Sequence, residues 1–286
     1  MKNNLKLNNG IIIPQLAYGT WLIKNEDAAR CVKTALEVGY RHIDTAQAYA
    51  NEVGVGEGIK KSGLKRKDIF VTTKVLGEIK TFEGAKKSIE DSLKRLGLDY
   101  IDLILIHCPQ PWAEFRGPKR YFKENIEVWK ALEEAYEEGK VKAIGVSNFL
   151  IDDLENIIHN CKIKPMVNQI LCHIGNTPMD VIKFCQTNDI VVESYSPIAH
   201  GAALNNEVIA KYANKYGVSI AQLCIKYTLQ INTISIPKAS SREHIVDNSK
   251  VDFTISDKDM IELIKLNEID YGVDSFWPVF SKKIQN

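Results

Sequence analysis

A lysine inside an apolar strand wants a carboxylate nearby, because a buried unpaired charge is expensive. This sequence offers such a pair. Lys74 lies near the end of the apolar run IFVTTKV at 69–75, and the preceding run, RHIDTA at 41–46, carries Asp44 and Thr45 near its end. Other apolar runs close on His107, on Ser147 and Asn148, on Gln169, on Tyr195 and Ser196, and on Lys238. Each residue alone has an ordinary explanation: a cap, a satisfied core histidine, a lysine snorkelling to solvent. Gathered at one rim, they could move protons and stabilise charge on an oxygen.

The elements that must gather them follow one rhythm. Short apolar runs start near LAYG (16–19), RHIDTA (41–46), IFVTTKV (69–75) and YIDLILIH (100–107). They continue at VKAIGVS (141–147), MVNQI (166–170), IVVESYS (190–196) and TISIPK (233–238). Several are near-continuous in Val, Ile and Leu, as strands buried on both faces of a parallel sheet are. Helical spacing links Ala29, Val32 and Leu36, then Ala85, Ile89, Leu93 and Leu96, then Ile126, Trp129, Leu132 and Tyr136. Thr177-Pro178 predicts an N-cap with Pro at the first helical position. Ser219 with Gln222 predicts a capping box, Gly97 a helix stop, and Ser256 with Asp259 the start of a last helix. Eight strands alternating with helices predict a (β/α)8 TIM barrel, an α/β fold whose active site lies at the C-terminal ends of the strands. Asn9-Gly10 between two short apolar runs predicts a type I′ hairpin ahead of the barrel, placed to close its bottom. The structural rival is a doubly wound sheet. It would carry a Gly-rich phosphate turn after its first strand, and no GxGxxG occurs.

Composition narrows the function. The chain has 286 residues, a length that suits one barrel domain over 1–286. With 45% hydrophobic and 26% charged residues it is globular rather than disordered. Its 37 basic and 36 acidic residues predict neither nucleic-acid nor membrane-surface binding. The six cysteines have no metal-ligand spacing, so no metal is expected. Without an apolar leader or an 18-residue apolar run, the chain reads as cytoplasmic with reduced thiols. An aromatic tail, Tyr271, Phe276, Trp277 and Phe280, reads as surface packing or as a lid over one barrel mouth.

The motifs GYRHIDTAQAYANE (39–52), Lys74 in FVTTKV, His107 in LILIHCP, GVSNF (145–149), NQI (168–170), YSP (195–197) and IPK (236–238) stand in the order found in aldo-keto reductases. Over nearly its whole length the chain resembles that family. The resemblance implies NAD(P)H-dependent reduction of aldehydes and ketones by hydride transfer, with Asp44, Tyr49, Lys74 and His107 as the catalytic four. Tyr49 is then the general acid, Lys74 lowers its pKa, Asp44 holds Lys74, and His107 orients the carbonyl. NADPH is the implied cofactor, with NADH as an alternative. Tyr195 is implied to stack on the nicotinamide, and Ser147, Asn148 and Gln169 to bind its carboxamide. Gly19, Thr20 and Trp21 belong at the mouth, Ser196, Pro197 and Ile198 across the pyrophosphate, and Ala221 near the adenosine. Ile236, Lys238, Ser240, Ser241, His244 and Asn248 belong at its phosphate end. The substrate, a small carbonyl compound, is expected against Trp21, Tyr49, His107 and Cys108. A monomer is the family's usual state.

Two departures bear on specificity. The family's Ser and Arg after IPK are Ala239 and His244 here, with Ser240, Ser241 and Arg242 on hand to compensate. HCP replaces the family's usual HWP, so Cys108 stands for an aromatic wall that Trp112, Phe115 or the tail would have to supply. Two other functions fit parts of the pattern: a barrel aldolase with Lys74 as a Schiff base, and a cofactor-binding subunit without turnover.

Overall fold

The computed structural model describes residues 4–115, 117–266, 269 and 271. A hairpin of β1 (Asn4–Lys6) and β2 (Ile12–Pro14) comes first. The barrel strands are β3 (Ala17–Gly19), β4 (His42–Asp44), β5 (Phe70–Val75), β6 (Leu103–Ile106), β7 (Ile144–Ser147), β8 (Val167–Leu171), β9 (Val191–Tyr195) and β10 (Ile234–Ile236). The helices are α1 (Asn25–Val38), α2 (Glu52–Lys61), α3 (Phe82–Leu96), α4 (Phe122–Glu137), α5 (Ile151–Asn160), α6 (Met179–Thr187), α7 (Glu207–Tyr216), α8 (Ile220–Gln230), α9 (Arg242–Asp247) and α10 (Asp257–Lys265). Neighbouring barrel strands pair in parallel from β3 through β10 in chain order. Parallel bridges Leu16–Ser235 and Gly19–Lys238 join β10 back to β3, so the sheet closes into the expected barrel. A Cβ on Gly19 would stand 3.1 Å from Ile236 Cγ2, so a larger residue would crowd that seam.

Period-two alternation sorts the strand residues. In β5, Thr73 Oγ1 reaches outward to Glu52 on α2 at 2.6 Å, which turns Thr72 and Lys74 into the barrel. In β8, Asn168 reaches outward to Cys185 on α6, which turns Gln169 inward. His42 and Asp44 on β4, and Glu193 on β9, meet these residues inside. The outward strand faces pack against helices whose apolar stripes include Val32 and Leu36, Ala85 and Ile89, and Trp129 and Leu132, all buried.

Most boundary signals hold. Ser219 and Gln222 form the capping box, Gly97 ends α3 in the left-handed region at φ +62°, and Ser256 caps α10. Two do not. Thr177 does not cap α6: its hydroxyl turns inward to His173 O and Tyr227 OH, and Pro178 holds the cap position without a side-chain bond. The hairpin turn is not type I′, because Gly10 has positive φ (+90°) and Asn9 does not. The turn spans Leu7–Gly10, closed by Gly10 N to Leu7 O, with Gly10 as its last residue absorbing the twist at positive φ. The hairpin does cover the barrel bottom. Asn8 and Asn9 donate to Pro165 O and Lys142 O, just ahead of β8 and β7. Among the described residues, no helix is long and apolar enough to cross a membrane.

Candidate active site

The C-terminal ends of the strands open into one cavity of about 740 Å³. Its floor holds the four residues expected to be catalytic. Lys74 Nζ donates to both Asp44 oxygens (2.8 and 2.9 Å), to Thr45 O (2.8 Å) and to Tyr49 OH (3.4 Å). The Tyr49 and His107 rings meet edge-on at 5.8 Å. Asp44, Tyr49 and His107 line the cavity, whereas Lys74 is wholly buried behind them. Tyr49 rides a single turn that follows β4, ended by Ala50 in the left-handed region. The side chain of Asn51 anchors that turn to Thr20 O and Ile23 O.

Burial works against charge here, and each group answers differently. It pulls Lys74 down, but Asp44 and Tyr49 more than offset this, and the ammonium is held above its ordinary value. Burial and the Lys74 charge push His107 well below its ordinary value, so the ring is neutral. Its Nδ1 is buried with no protein partner. For Tyr49 the expected lowering by Lys74 is present but loses to burial, and the phenol lies above its ordinary value. The physical reason is that a phenolate in this floor would exchange water for a single cation.

Most predicted cofactor residues line the same cavity: Gly19, Trp21, Asp44, Ser147, Asn148, Gln169, Tyr195, Ser196, Pro197, Ile198, Ala221, Ile236, Lys238, Ser240, His244 and Asn248. Besides Lys74, three predicted residues do not reach it. Thr20 is buried, its hydroxyl bonded to Asp44 O. Ser241 accepts from His244 N as the cap of α9. Cys108 is fully buried behind the wall, where burial pushes its thiol up to about 12. The aromatic wall comes instead from Trp112, whose ring meets His107 edge-on at 5.3 Å and Phe115 at 5.4 Å. Arg242 is drawn away to Glu37 at 3.1 Å. Across the mouth, the Trp21 and His200 rings meet tilted by 48° with centroids 4.9 Å apart, a contact the sequence did not suggest. In the tail, Tyr271 bonds Ile174 O at 2.8 Å, while Phe276, Trp277 and Phe280 lie outside the described residues.

The hydrogen-bond inventory shows what the cavity can hold. Gln169 Nε2 spends both hydrogens on Asp44 Oδ2 (2.8 Å) and Glu193 Oε2 (2.7 Å), leaving its carbonyl oxygen to accept. Asn148 donates to His107 O and Ser147 Oγ, and its Oδ1 already accepts from Tyr195 OH at 2.8 Å. Ser147 Oγ donates to Gln169 O. What remains is a cluster of acceptors, which suits the NH₂ of a carboxamide. Two further observations fit a dinucleotide: the Tyr195 ring beside that cluster and the length of the cavity, which runs on to Lys238 and His244. Asn148 and Ser196 hold positive φ (+62° and +50°) at these strand ends, where strain commonly marks function.

A barrel with a Lys–Asp pair, a phenol and a neutral imidazole at its C-terminal mouth defines an oxidoreductase-type site, and a Schiff-base lysine does not fit it. Lys74 is a triply bonded ammonium out of reach of the cavity, whereas an aldolase needs a free amine. Residues 15–268 match the Aldo/keto reductase family. The chain is 40% identical over 270 residues to the glyoxal reductase of Bacillus subtilis, covering 94% of each. It superposes on MGS-M4, an aldo-keto reductase from a Medee basin deep-sea metagenome library, with a TM-score of 0.86 and 42% identity, covering 92% of this chain and 94% of that one. A Bombyx mori aldo-keto reductase in complex with NADP gives 0.85 and 30%, covering 97% and 98%. The chain belongs to the aldo/keto reductase family.

Proposed function

We propose that this protein reduces small aldehydes and ketones, dicarbonyls such as glyoxal among them, with NADPH as hydride source and Tyr49 as proton donor. The observation that carries the reading is the bridge made by Lys74, which touches the Asp44 carboxylate and the Tyr49 hydroxyl at the cavity floor. The relatives support the substrate class and the cofactor: one is a glyoxal reductase and one was solved with NADP.

The bound cofactor supplies the hydride, and the protein's part is the oxygen that becomes negative. Tyr49 OH gives that oxygen its proton. As charge passes to the phenol, the Lys74 ammonium at 3.4 Å becomes a stronger partner than it was in the ground state. Asp44 keeps Lys74 charged and pointed. His107, being neutral, can donate an N–H to the same oxygen without adding a second cation to the floor. Trp112 and Trp21 wall the substrate end with apolar surface, which limits water and suits compact carbonyls. At the far end, Lys238 and His244 line the mouth and would offer the 2′-phosphate of NADPH a point charge and an imidazole rather than a guanidinium fork.

The test is NADPH consumption with glyoxal, methylglyoxal and a panel of larger aldehydes, ketones and sugars. We expect turnover on the small carbonyls, and Tyr49→Phe to keep NADPH binding while losing about 10²–10⁴-fold in rate. Tight NADPH binding with no oxidation across the panel would support a non-enzymatic subunit instead.

A further inference from the structure

Beneath the catalytic floor lies a second carboxyl group that the proposed reaction does not use. Glu193 on β9 is wholly buried inside the barrel. Its Oε2 accepts from Gln169 Nε2 at 2.7 Å, and the other hydrogen of that amide goes to Asp44 Oδ2 at 2.8 Å. Two carboxyl groups therefore share one amide, and a single lysine serves them both. Glu193 Oε1 has no hydrogen-bond partner among the described residues, and His42 Nε2 stands 3.7 Å from it.

The tautomer of His42 decides what Oε1 must be. His42 Nδ1 faces Pro14 O at 3.3 Å, and a carbonyl only accepts, so Nδ1 carries the hydrogen. Burial, and the Lys74 charge after it, hold this ring neutral, with its value pushed down to about 3. Nε2 is then a lone pair, already met by the Thr72 hydroxyl at 2.8 Å. A carboxylate oxygen there would receive no hydrogen bond from this ring, whose N–H faces Pro14 O. It would also leave the interior with two anions for one cation. A protonated Glu193 leaves a single anion for Lys74: Oε2 accepts from Gln169, and the Asp44–Lys74 pair is balanced.

We infer that Glu193 is a positioning residue of this site, a proton-bearing carboxylic acid that steadies Asp44 through the Gln169 amide, and that losing its proton slows reduction at alkaline pH. The inference rests on the proposed reading of Tyr49 and Lys74. The charged and titratable groups facing Glu193 are Asp44 and His42 from β4 and Lys74 from β5, while β8 presents the neutral Gln169 and β10 pairs it with Ile234. Burial, and then the Asp44 charge, raise the carboxyl to about 8. An anion formed there competes for the Lys74 charge that Tyr49 needs, and a cost on the order of tenfold in rate, about one pKa unit of interaction, is expected.

Infrared spectroscopy of the wild-type protein tests the proton directly. We expect the C=O band of a buried carboxylic acid at neutral pH, lost as the pH passes about 8, and absent in Glu193→Gln. The kinetic arm compares two variants. Glu193→Val, which strands a hydrogen of the Gln169 amide, should lower kcat by on the order of tenfold while leaving KM for the carbonyl within about twofold. Glu193→Gln should restore most of that loss, because its amide repeats the donor and acceptor of the protonated acid, and should erase the alkaline fall in kcat. A wild-type spectrum without the band overturns the inference. So does a Gln variant that keeps the wild-type alkaline fall or is as impaired as Val. If Val does not fold, the spectrum and the Gln profile still decide. Failure of the Tyr49 reading is separable, since Tyr49→Phe would then stay active while the Glu193 band is present or absent on its own account.

Discussion

Replacing Lys74 by Met keeps the length and apolar stem of the side chain and deletes one ammonium group. That group makes three hydrogen bonds of 2.8–2.9 Å, two of them to Asp44. Lys74 is fully buried and Asp44 is 3% exposed, so water cannot replace what is lost. Removing one partner of a buried pair costs about 3–5 kcal/mol, chiefly from the stranded charge. For a chain of this size each kcal/mol moves Tm by roughly 2 °C, so Lys74→Met should melt about 6–10 °C lower. The stranded charge also has a remedy. Asp44→Asn added to Lys74→Met should recover at least about half the loss, because the neutral amide can keep the bond to Gln169 Nε2. Thermal melts by circular dichroism on the two singles and the double give the coupling directly. Activity should not follow stability: the double variant should regain Tm and remain inactive, since nothing then stabilises a Tyr49 phenolate. A Lys74→Met protein melting within about 2 °C of wild type, or a double variant no more stable than the single, would refute the ion-pair argument.

Cofactor choice gives a second prediction. NADPH should be preferred over NADH in kcat/KM, His244→Arg should widen the margin by roughly 10–100-fold, and Lys238→Ala should shrink it towards unity. An unchanged ratio in both variants would place the 2′-phosphate elsewhere. Stability against pH gives a third. His42, His107 and His173 are held neutral in the fold, two of them pushed down to about 3 and about 4. The unfolded chain takes up those protons below about 6.5, so their contribution is full above that value and is lost on acidification. Glu193 has the opposite sign: raised from 4.5 to about 8, it stabilises fully at low pH and loses that contribution as pH climbs to about 8. Unfolding free energy should therefore peak near pH 6.5, falling on the alkaline side by about 1.4 kcal/mol per pH unit until pH 8, and Glu193→Gln should flatten that alkaline arm. A melt profile that rises between pH 6.5 and 8 would contradict the Glu193 assignment, and one that does not fall on acidification below 6.5 would contradict the histidine assignment.

Much of this was legible from residue order. Parallel strands buried on both faces need unbroken Val, Ile and Leu, and helices between them need a one-sided stripe, so the barrel rhythm is written in one dimension. Caps and stops such as Ser219, Gly97 and Ser256 act within one turn, and they could be read for the same reason. Asp44, Lys74 and His107 stand out as polar residues near the ends of apolar strands. Local signals failed where a distant partner outbid the nearest one. Thr177 left its cap for Tyr227, fifty positions on. Cys108 turned behind the wall, and Trp112 took its place beside His107.

The sequence by itself determined the strand-and-helix alternation, the family, and the identity of the groups near the strand ends, because each depends on periodicity or on neighbours in the chain. Only the tertiary structure decided their chemical states. The neutral His107, the charged Lys74 and the raised Tyr49 follow from burial and from charges brought in by other strands. Glu193 shows the division most clearly. Parity with Tyr195 marks it as pointing into the barrel, but its proton depends on His42, Gln169 and Asp44, which lie 24 to 151 positions away in the chain and within a few ångströms in space. Desolvation and Coulomb interaction act through that space, and sequence separation does not measure it.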